Sequence, residues 1–315
     1  MPPTFTFTTR AKNSLSRFSL RQEDCCLRAE LASFLHMKGS IQMASGRIAL
    51  TVITENPAVA RRLFSLFKSL YGLNTEIFFR QKTRLKKNNV YLVQVRGEER
   101  VRYILKNLGR LDPQGHLLMG VDKKLFRRRC CKKAFLRGAF LAGGYLSDPG
   151  STYHLELVVD YEEYARTLVK LLQDFGLKAK VHRRKKSYVA YIKGSDAIAD
   201  FLQLIGAHEA LLGFENTRVV KDMRNRINRL VNFETANLNK TVDAALQQLE
   251  DIKVIQATIG LERLPAGIRP LAKLRLAYPE ASLKELGAML NPPLSKSGVN
   301  HRFRKLRQIV AKLVP

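Results

Sequence analysis

Residues 130–146 read CCKKAFLRGAFLAGGYL and residues 25–41 read CCLRAELASFLHMKGSI. Laid over each other, Cys25, Cys26, Ala29, Leu31 and Gly39 fall on Cys130, Cys131, Ala134, Leu136 and Gly144. The likeness continues beyond both stretches. RIALTVIT (47–54) matches YHLELVVD (153–160), and both have the β-branched content of strands. NPAVARRLFSLFKSLYGL (56–73) and YEEYARTLVKLLQDFGL (161–177) follow as amphipathic helices stopped at Gly72 and Gly176. Each copy then carries two strands and a helix: TEIFFR, VYLVQVRG and EERVRYILKNLG against KAKVHRR, SYVAYIKG and SDAIADFLQLIGA. A duplication of this length predicts one pseudo-symmetric α+β domain built from two αββαββα repeats, over 1–120 and 121–217. A helical linker over 218–241 and an all-α domain over 242–315 complete the expected organisation.

Lys and Arg number 55 against 27 Asp and Glu, giving a net charge of +28 over 315 residues. An excess of that size repels itself and points to a polyanionic partner, nucleic acid or an anionic membrane. Apolar runs are broken by charges within a turn, so no spanning helix is expected. The N-terminal stretch MPPTFTFTTRAK lacks the apolar core of a signal peptide, and with cysteines only at 25, 26, 130 and 131 the expected location is cytoplasmic, at the nucleoid. Could the cysteines form a zinc site? Adjacent Cys-Cys pairs lack the two-to-four-residue spacer usual in structural zinc sites, which favours buried core cysteines and no metal.

The segment FLRGAFLAGGYL (135–146) resembles the LAGLIDADG motif of homing endonucleases. In that family two such helices pack face to face and lead into strands that form a DNA-binding saddle. Gly138, Ala139, Ala142, Gly143 and Gly144 suit such close packing, as they would any tight helix interface in an α/β protein. The family's chemistry places a carboxylate at the end of each motif helix to hold the divalent ions that activate water. Here those positions are Lys38 and Gly143. The nearest acid, Asp148, has Met43 as its repeat counterpart, so no second carboxylate is paired with it. The expectation is a non-enzyme without catalytic residues, cofactor or small-molecule substrate.

A DNA-facing surface can outlast the chemistry. KAKVHRR alternates, with Lys178, Lys180, His182 and Arg184 on one face and Ala179 and Val181 on the other. Arg183, Lys185 and Lys186 extend it into a basic turn, and Arg80, Lys82 and Arg84, with Lys86 and Lys87, occupy the matching region of the first repeat. Phosphate contact and a merely solvated basic face both account for these strands.

At the C-terminal end, SLKELGAMLNPPLSKSGVNHRFRKLRQIVAKL (282–313) opens on a Ser282–Glu285 capping box. Gly287 supplies a small contact where two helices cross, Asn291-Pro292-Pro293 ends the first helix, and Ser295 or Ser297 can cap the next. In that last helix Val299, Phe303, Leu306, Val310 and Leu313 form an apolar stripe. Lys296, Asn300, Arg304 and Arg307 are expected on the opposite side, flanked by Ser297, His301, Arg302 and Lys305, with no acid after Glu285. This is the pattern of a helix-turn-helix whose second helix offers Asn and Arg to base edges. A basic helix that caps a bundle or lies on a membrane is the alternative.

Taken in order, CCLRAELASFL, CCKKAFLRGAFLAGGYLSDP, NRINRLVNFETAN and SLKELGAMLNPPLSKSGVNHR resemble the WhiA-type regulators of Gram-positive bacteria, over nearly the whole chain. The resemblance implies a degenerate LAGLIDADG domain joined to a helix-turn-helix similar to region four of bacterial sigma factors. It implies a sequence-specific transcription regulator acting on double-stranded promoter DNA, with RNA polymerase or another regulator as candidate protein partner and no membrane partner. Roles in cell division, chromosome segregation and, in spore formers, sporulation come from the resemblance alone. RNA binding or a nucleoid-structuring role is the competing reading, since Tyr188 and Tyr191 among basic strands could stack on bases.

Overall fold

Two repeats of helix, two strands, helix, two strands and helix make up most of the first of two compact units, residues 1–221. The structure is a computed structural model and describes residues 6–19, 23–44, 47–81, 89–112, 114–118 and 120–313. The first repeat comprises α2 (Asp24–Lys38), β1 (Gly39–Ala44), β2 (Arg47–Thr54), α3 (Pro57–Tyr71), β3 (Glu76–Gln81), β4 (Asn89–Arg96) and α4 (Glu98–Asn107). The second comprises α5 (Arg129–Gly143), β5 (Gly144–Leu146), β6 (His154–Val159), α6 (Glu162–Gln173), β7 (Lys180–Arg184), β8 (Ser187–Lys193) and α7 (Ser195–Ile205). Both sheets are antiparallel with the same order, β1-β2-β4-β3 and β5-β6-β8-β7. The duplication read from the sequence is therefore a duplication of topology.

Alternation along the strands sets which face is buried. Leu50, Val52, Val93 and Val95 in one sheet, and Leu155, Leu157, Ala190 and Ile192 in the other, turn into the common core. The axis of that core is the pair α2 and α5, which pack along their length. Gly138 makes the approach possible, because a Cβ there would run into the carbonyl of Glu30 and lie 3.0 Å from Ser33 Cβ. Ser33 in turn meets the Tyr164 hydroxyl at 3.0 Å, tying α2 to α6.

A further helix of this unit precedes the repeats. In α1 (Phe7–Leu15), capped by the Thr6 side chain on Thr9 N–H, Phe7, Ala11 and Leu15 form a single buried row at four-residue spacing. Its Thr8 hydroxyl donates to Leu146 O at 2.7 Å and receives Leu146 N–H at 2.9 Å, closing the free edge of β5.

The second unit, residues 222–315, has its own core. The 51-residue helix α8 (His208–Thr258) contributes residues to both units, and its residues 222–244 are exposed. Ile252 and Ile255 of α8 pack with Leu271 and Ala272 of α9 (Arg269–Ala277), Leu286 of α10 (Leu283–Ala288), and Val299, Phe303 and Leu306 of α11 (Lys296–Leu313). Buried Arg275 fastens these pieces. It donates to Gln248 Oε1 at 3.1 Å, Pro279 O at 3.0 Å and Ala281 O at 2.6 Å, and lies over the Phe303 ring at 5.6 Å. Burial holds its guanidinium below the usual arginine range. No helix among the described residues is long and apolar enough to cross a membrane.

Candidate DNA interface

The Ser282 hydroxyl accepts from Glu285 N–H at 3.3 Å while the Glu285 carboxylate accepts from Ser282 N–H at 2.7 Å, so α10 starts on a complete capping box. The Ser282 N–H first, and then the Ser282 side chain, hold the Glu285 carboxyl below the usual carboxylate range. Gly287 packs directly beneath Leu294 and Val299, and its carbonyl accepts from Leu294 N–H at 2.9 Å, which closes the turn. Of the two candidate caps for α11, Ser295 is the one used: its hydroxyl accepts from Gly298 N–H at 3.2 Å and meets the Ser297 hydroxyl at 2.9 Å.

Along α11 the stripe is as expected, with Val299, Phe303 and Leu306 buried and Val310 and Leu313 packed on the same cluster. Lys296, Ser297, His301, Arg304, Lys305 and Arg307 are exposed. Asn300 is half-buried beside Leu283, Ser295, Lys296 and Ser297, in a depression at the start of the helix. At about 100° per residue, the Asn300–Arg304–Arg307 row lies roughly a quarter turn from the stripe, not diametrically across from it. Arg302 differs from its expected place. It is half-buried, with its guanidinium over Gly267, and so braces the helix instead of standing free.

In the second repeat the face of the sheet turned away from the helices is charged. Cross-strand partners share a face, so the register Lys180↔Tyr191, His182↔Val189 and Arg184↔Ser187 puts Lys180, His182 and Arg184 together with Tyr191 and, through β6, Tyr145, His154 and Glu156. Lys178 precedes the strand and is exposed; Arg183 points to the other face, opposite Tyr188; Lys185 and Lys186 form the two-residue turn, with Lys185 at φ 55°. Nothing in the sequence marks Glu156, yet it organises this face. It pairs with Arg184 at 2.8 Å and His154 at 2.9 Å, and Tyr191 lies between His154 and His182, tilted to the first and edge-on to the second, with ring centres 5.7 and 5.2 Å away.

The equivalent face of the first sheet carries Ile53, Phe78 and Leu92 with Gln94, Arg96, Glu76 and Arg80. Arg96 is occupied: it pairs with Glu76 at 3.2 Å, donates to Gln94 at 2.8 Å and lies over Phe78 at 5.4 Å. Arg80 is exposed, whereas Lys82, Arg84, Lys86 and Lys87 fall outside the described residues.

At the sheet ends of α2 and α5 stand the two degenerate positions. Lys38 is exposed. Gly143 has no room for a side chain, since a Cβ there would meet the Met37 methyl and come within 2.8 Å of Val158 O. Lys12 of α1 adds a second cation near Lys38. Burial, and then repulsion from Lys38, push its pKa down to about 8. Where the endonuclease pattern gathers carboxylates around a cation, these helix ends gather ammonium groups.

Two clusters lie beyond what the sequence reveals. Glu30 of α2, fully buried, receives Arg62 Nε at 2.8 Å and Nη2 at 2.9 Å, and Arg137 Nη1 at 3.2 Å, while Arg62 Nη1 also donates to Phe18 O. This network links α2, α3 and α5. The cysteines also differ from the core-cysteine expectation: Cys26 and Cys131 are buried, but Cys25 is partly exposed, Cys130 is exposed, and all four sulphurs converge at the other end of the α2–α5 pair.

Known proteins match this chain along its length. Residues 24–111 match the WhiA N-terminal LAGLIDADG-like domain, residues 132–224 the WhiA LAGLIDADG-like domain and residues 227–310 the WhiA C-terminal HTH domain. A probable cell division protein WhiA of Desulforamulus reducens is 50% identical over 309 residues, 98% of this chain and 96% of the relative. Its counterpart in Heliobacterium modesticaldum is 50% identical over 304 residues, 96% of this chain and 95% of the relative. Among solved structures, full-length DUF199/WhiA from Thermatoga maritima superposes with a TM-score of 0.58 at 27% identity, covering 98% of this chain and 99% of that one.

Proposed function

The chain belongs to the WhiA family, and from that premise we propose that it is a sequence-specific double-stranded-DNA-binding transcription regulator that acts in cell division and does not cleave DNA. Chromosome segregation and, in spore formers, sporulation are the further roles we assign to it. The observation that carries the reading is α11, a capped, acid-free helix anchored by a buried stripe with Arg304, Lys305, Arg307 and His301 exposed. Asn300 and Arg304 sit one turn apart and suit bidentate contacts to adenine and guanine, each discriminating by roughly 1–3 kcal/mol. Lys296, Ser297, Lys305 and Arg307 suit phosphates. On the second sheet, Lys178, Lys180, His182, Lys185 and Lys186 supply sequence-independent phosphate contacts.

Strand cleavage by this fold requires carboxylates at the two helix ends, and the bulk around Gly143 together with Lys38 and Lys12 opposes a metal ion there. Lys12 and Lys38 are instead suited to neutralise a phosphate at the place where the endonuclease pattern puts its metal.

Selection of bound sequences from a random duplex library with full-length protein tests the assignment. Arg304→Ala is expected to lose the selected motif, and Lys180→Ala to keep it at lower affinity. If Arg304→Ala selects the unchanged motif, α11 is not the reader. Plasmid incubated with the protein and magnesium or manganese is expected to stay supercoiled; nicking lost on Asp148→Ala would overturn the non-enzyme reading.

A further inference from the structure

Every cysteine of the chain lies in one place. Cys25 and Cys26 open α2, Cys130 and Cys131 open α5, and the four Sγ atoms lie within 4.8 Å of one another. Contacts cross the interface symmetrically, Cys26 against Cys130 and Cys131 against Cys25, while Cys130 and Cys131 Sγ are 4.0 Å apart. A tetrahedral tetrathiolate with Zn–S of about 2.3 Å has sulphur–sulphur edges of about 3.8 Å, so these positions need only small rotamer changes to enclose one ion. A disulfide would require about 2.05 Å, and cubane-type clusters need wider spacing.

We propose that the four cysteines form a mononuclear, zinc-type metal site that clamps α2 to α5 across the pseudo-dyad. Binding replaces four S–H bonds with four Zn–S bonds and releases four protons, leaving a centre of net charge −2. That charge is offset in part, although the Glu23 carboxylate also lies 3.3 Å from Cys25 Sγ. Both sulphur pairs sit at helix N-termini, where backbone N–H groups favour anions, and Arg128 Nη1 stands 4.0 Å from Cys25 Sγ while pairing with Glu23 at 2.5 Å. Because the ligands come from two segments 105 residues apart, the site closes only when both repeats are folded together. With helices of 15 residues, it lies roughly 20 Å from Lys38 and Gly143, so it is separate from the DNA reading proposed above.

The test is metal analysis of full-length protein purified under reducing conditions without chelator, followed by cobalt substitution. One zinc per chain is expected, with cobalt giving the charge-transfer and ligand-field bands of a tetrahedral thiolate site. Cys130→Ser, at an exposed position, and Cys25→Ser, at a partly exposed one, are each expected to lose the cobalt bands while the circular-dichroism spectrum stays unchanged. Chelation is expected to lower the melting temperature of the parent protein and leave that of Cys130→Ser unmoved. Reduced protein that takes up no stoichiometric zinc or cobalt, or variants that bind cobalt as the parent does, would overturn the proposal.

Discussion

The two sheets share strand order and register but not surface. On the second, the face away from the helices presents Lys180, His182 and Arg184 around Tyr191 and Glu156; on the first, the same face presents Ile53, Phe78 and Leu92, and Arg96 is already paired with Glu76. What both repeats retain is the inward alternation of apolar residues, because a strand without it cannot pack on the core. The outward positions are free of that constraint and have diverged. Symmetry of backbone thus says little about symmetry of binding, and the basic half of the saddle is the half expected to hold phosphate.

The largest measurable asymmetry lies inside. Glu30 takes two buried arginines, whereas its repeat counterpart is Phe135, an ordinary core ring. Glu30→Ala removes the one carboxylate that pairs with both buried arginines and is expected to cost about 3–5 kcal/mol in urea unfolding. Arg166→Ala, which breaks an exposed pair with Glu162 on α6, is expected to cost less than about 1 kcal/mol. Equal costs would mean that the buried network is no more than a surface pair in effect.

Next in size is the salt response. Combined Lys180→Ala, Lys185→Ala and Lys186→Ala is expected to flatten the slope of log affinity against log salt by roughly 0.9 for each phosphate that is no longer neutralised. Arg96→Ala is expected to change that slope by less than the value for a single phosphate, since Arg96 is already paired with Glu76. The reverse order would move the phosphate footprint to the first sheet.

Lys12 belongs to α1, outside both repeats, and lies over the Phe140 ring of α5 at 5.8 Å. Its pKa of about 8 in the folded protein lies below the ordinary 10.5, so between those values the unfolded chain binds more protons. Stability therefore rises with pH across that window. Measured against Lys12→Met, the unfolding free energy of the parent is expected to gain between pH 8 and 10.5; a flat difference would remove the burial cost assigned to this lysine. The smallest effect belongs to Glu156→Gln, which frees Arg184 and removes a negative charge from the binding face. Non-specific duplex affinity is expected to rise by less than about 1 kcal/mol, and a fall would show that Glu156 is needed to aim Arg184.

Much of this is legible in the sequence because it is periodic or local. The αββαββα pattern, the helix stops at Gly72 and Gly176, the Ser282–Glu285 capping box and the Val299–Phe303–Leu306 stripe all declare themselves within a few residues. What stays hidden depends on contacts between distant segments. Nothing near Glu30 indicates Arg62 or Arg137, and nothing near Glu156 indicates Arg184. The spacer rule for zinc sites says nothing of Cys25 and Cys130 together, because it describes ligands on one turn of chain. Here the four cysteines belong to two helices, α2 and α5, whose close approach is allowed at Gly138. In α1 the signal is local but short, a buried row at residues 7, 11 and 15 that spans little more than two turns.

The bond between Thr8 and Leu146 has a bearing on how the protein is made. Its partners are 138 residues apart, and at roughly 5–20 residues per second α1 leaves the ribosome about 7–28 s before the strand edge it seals. For that interval α1 can dock only on the first repeat, where Asn13 meets Asn56 at the start of α3, and once β5 emerges its edge stays open to neighbouring chains until α1 reaches it. Crowded polysomes translating this message would therefore pass through a stage prone to pairing between chains, ended by two hydrogen bonds to a threonine.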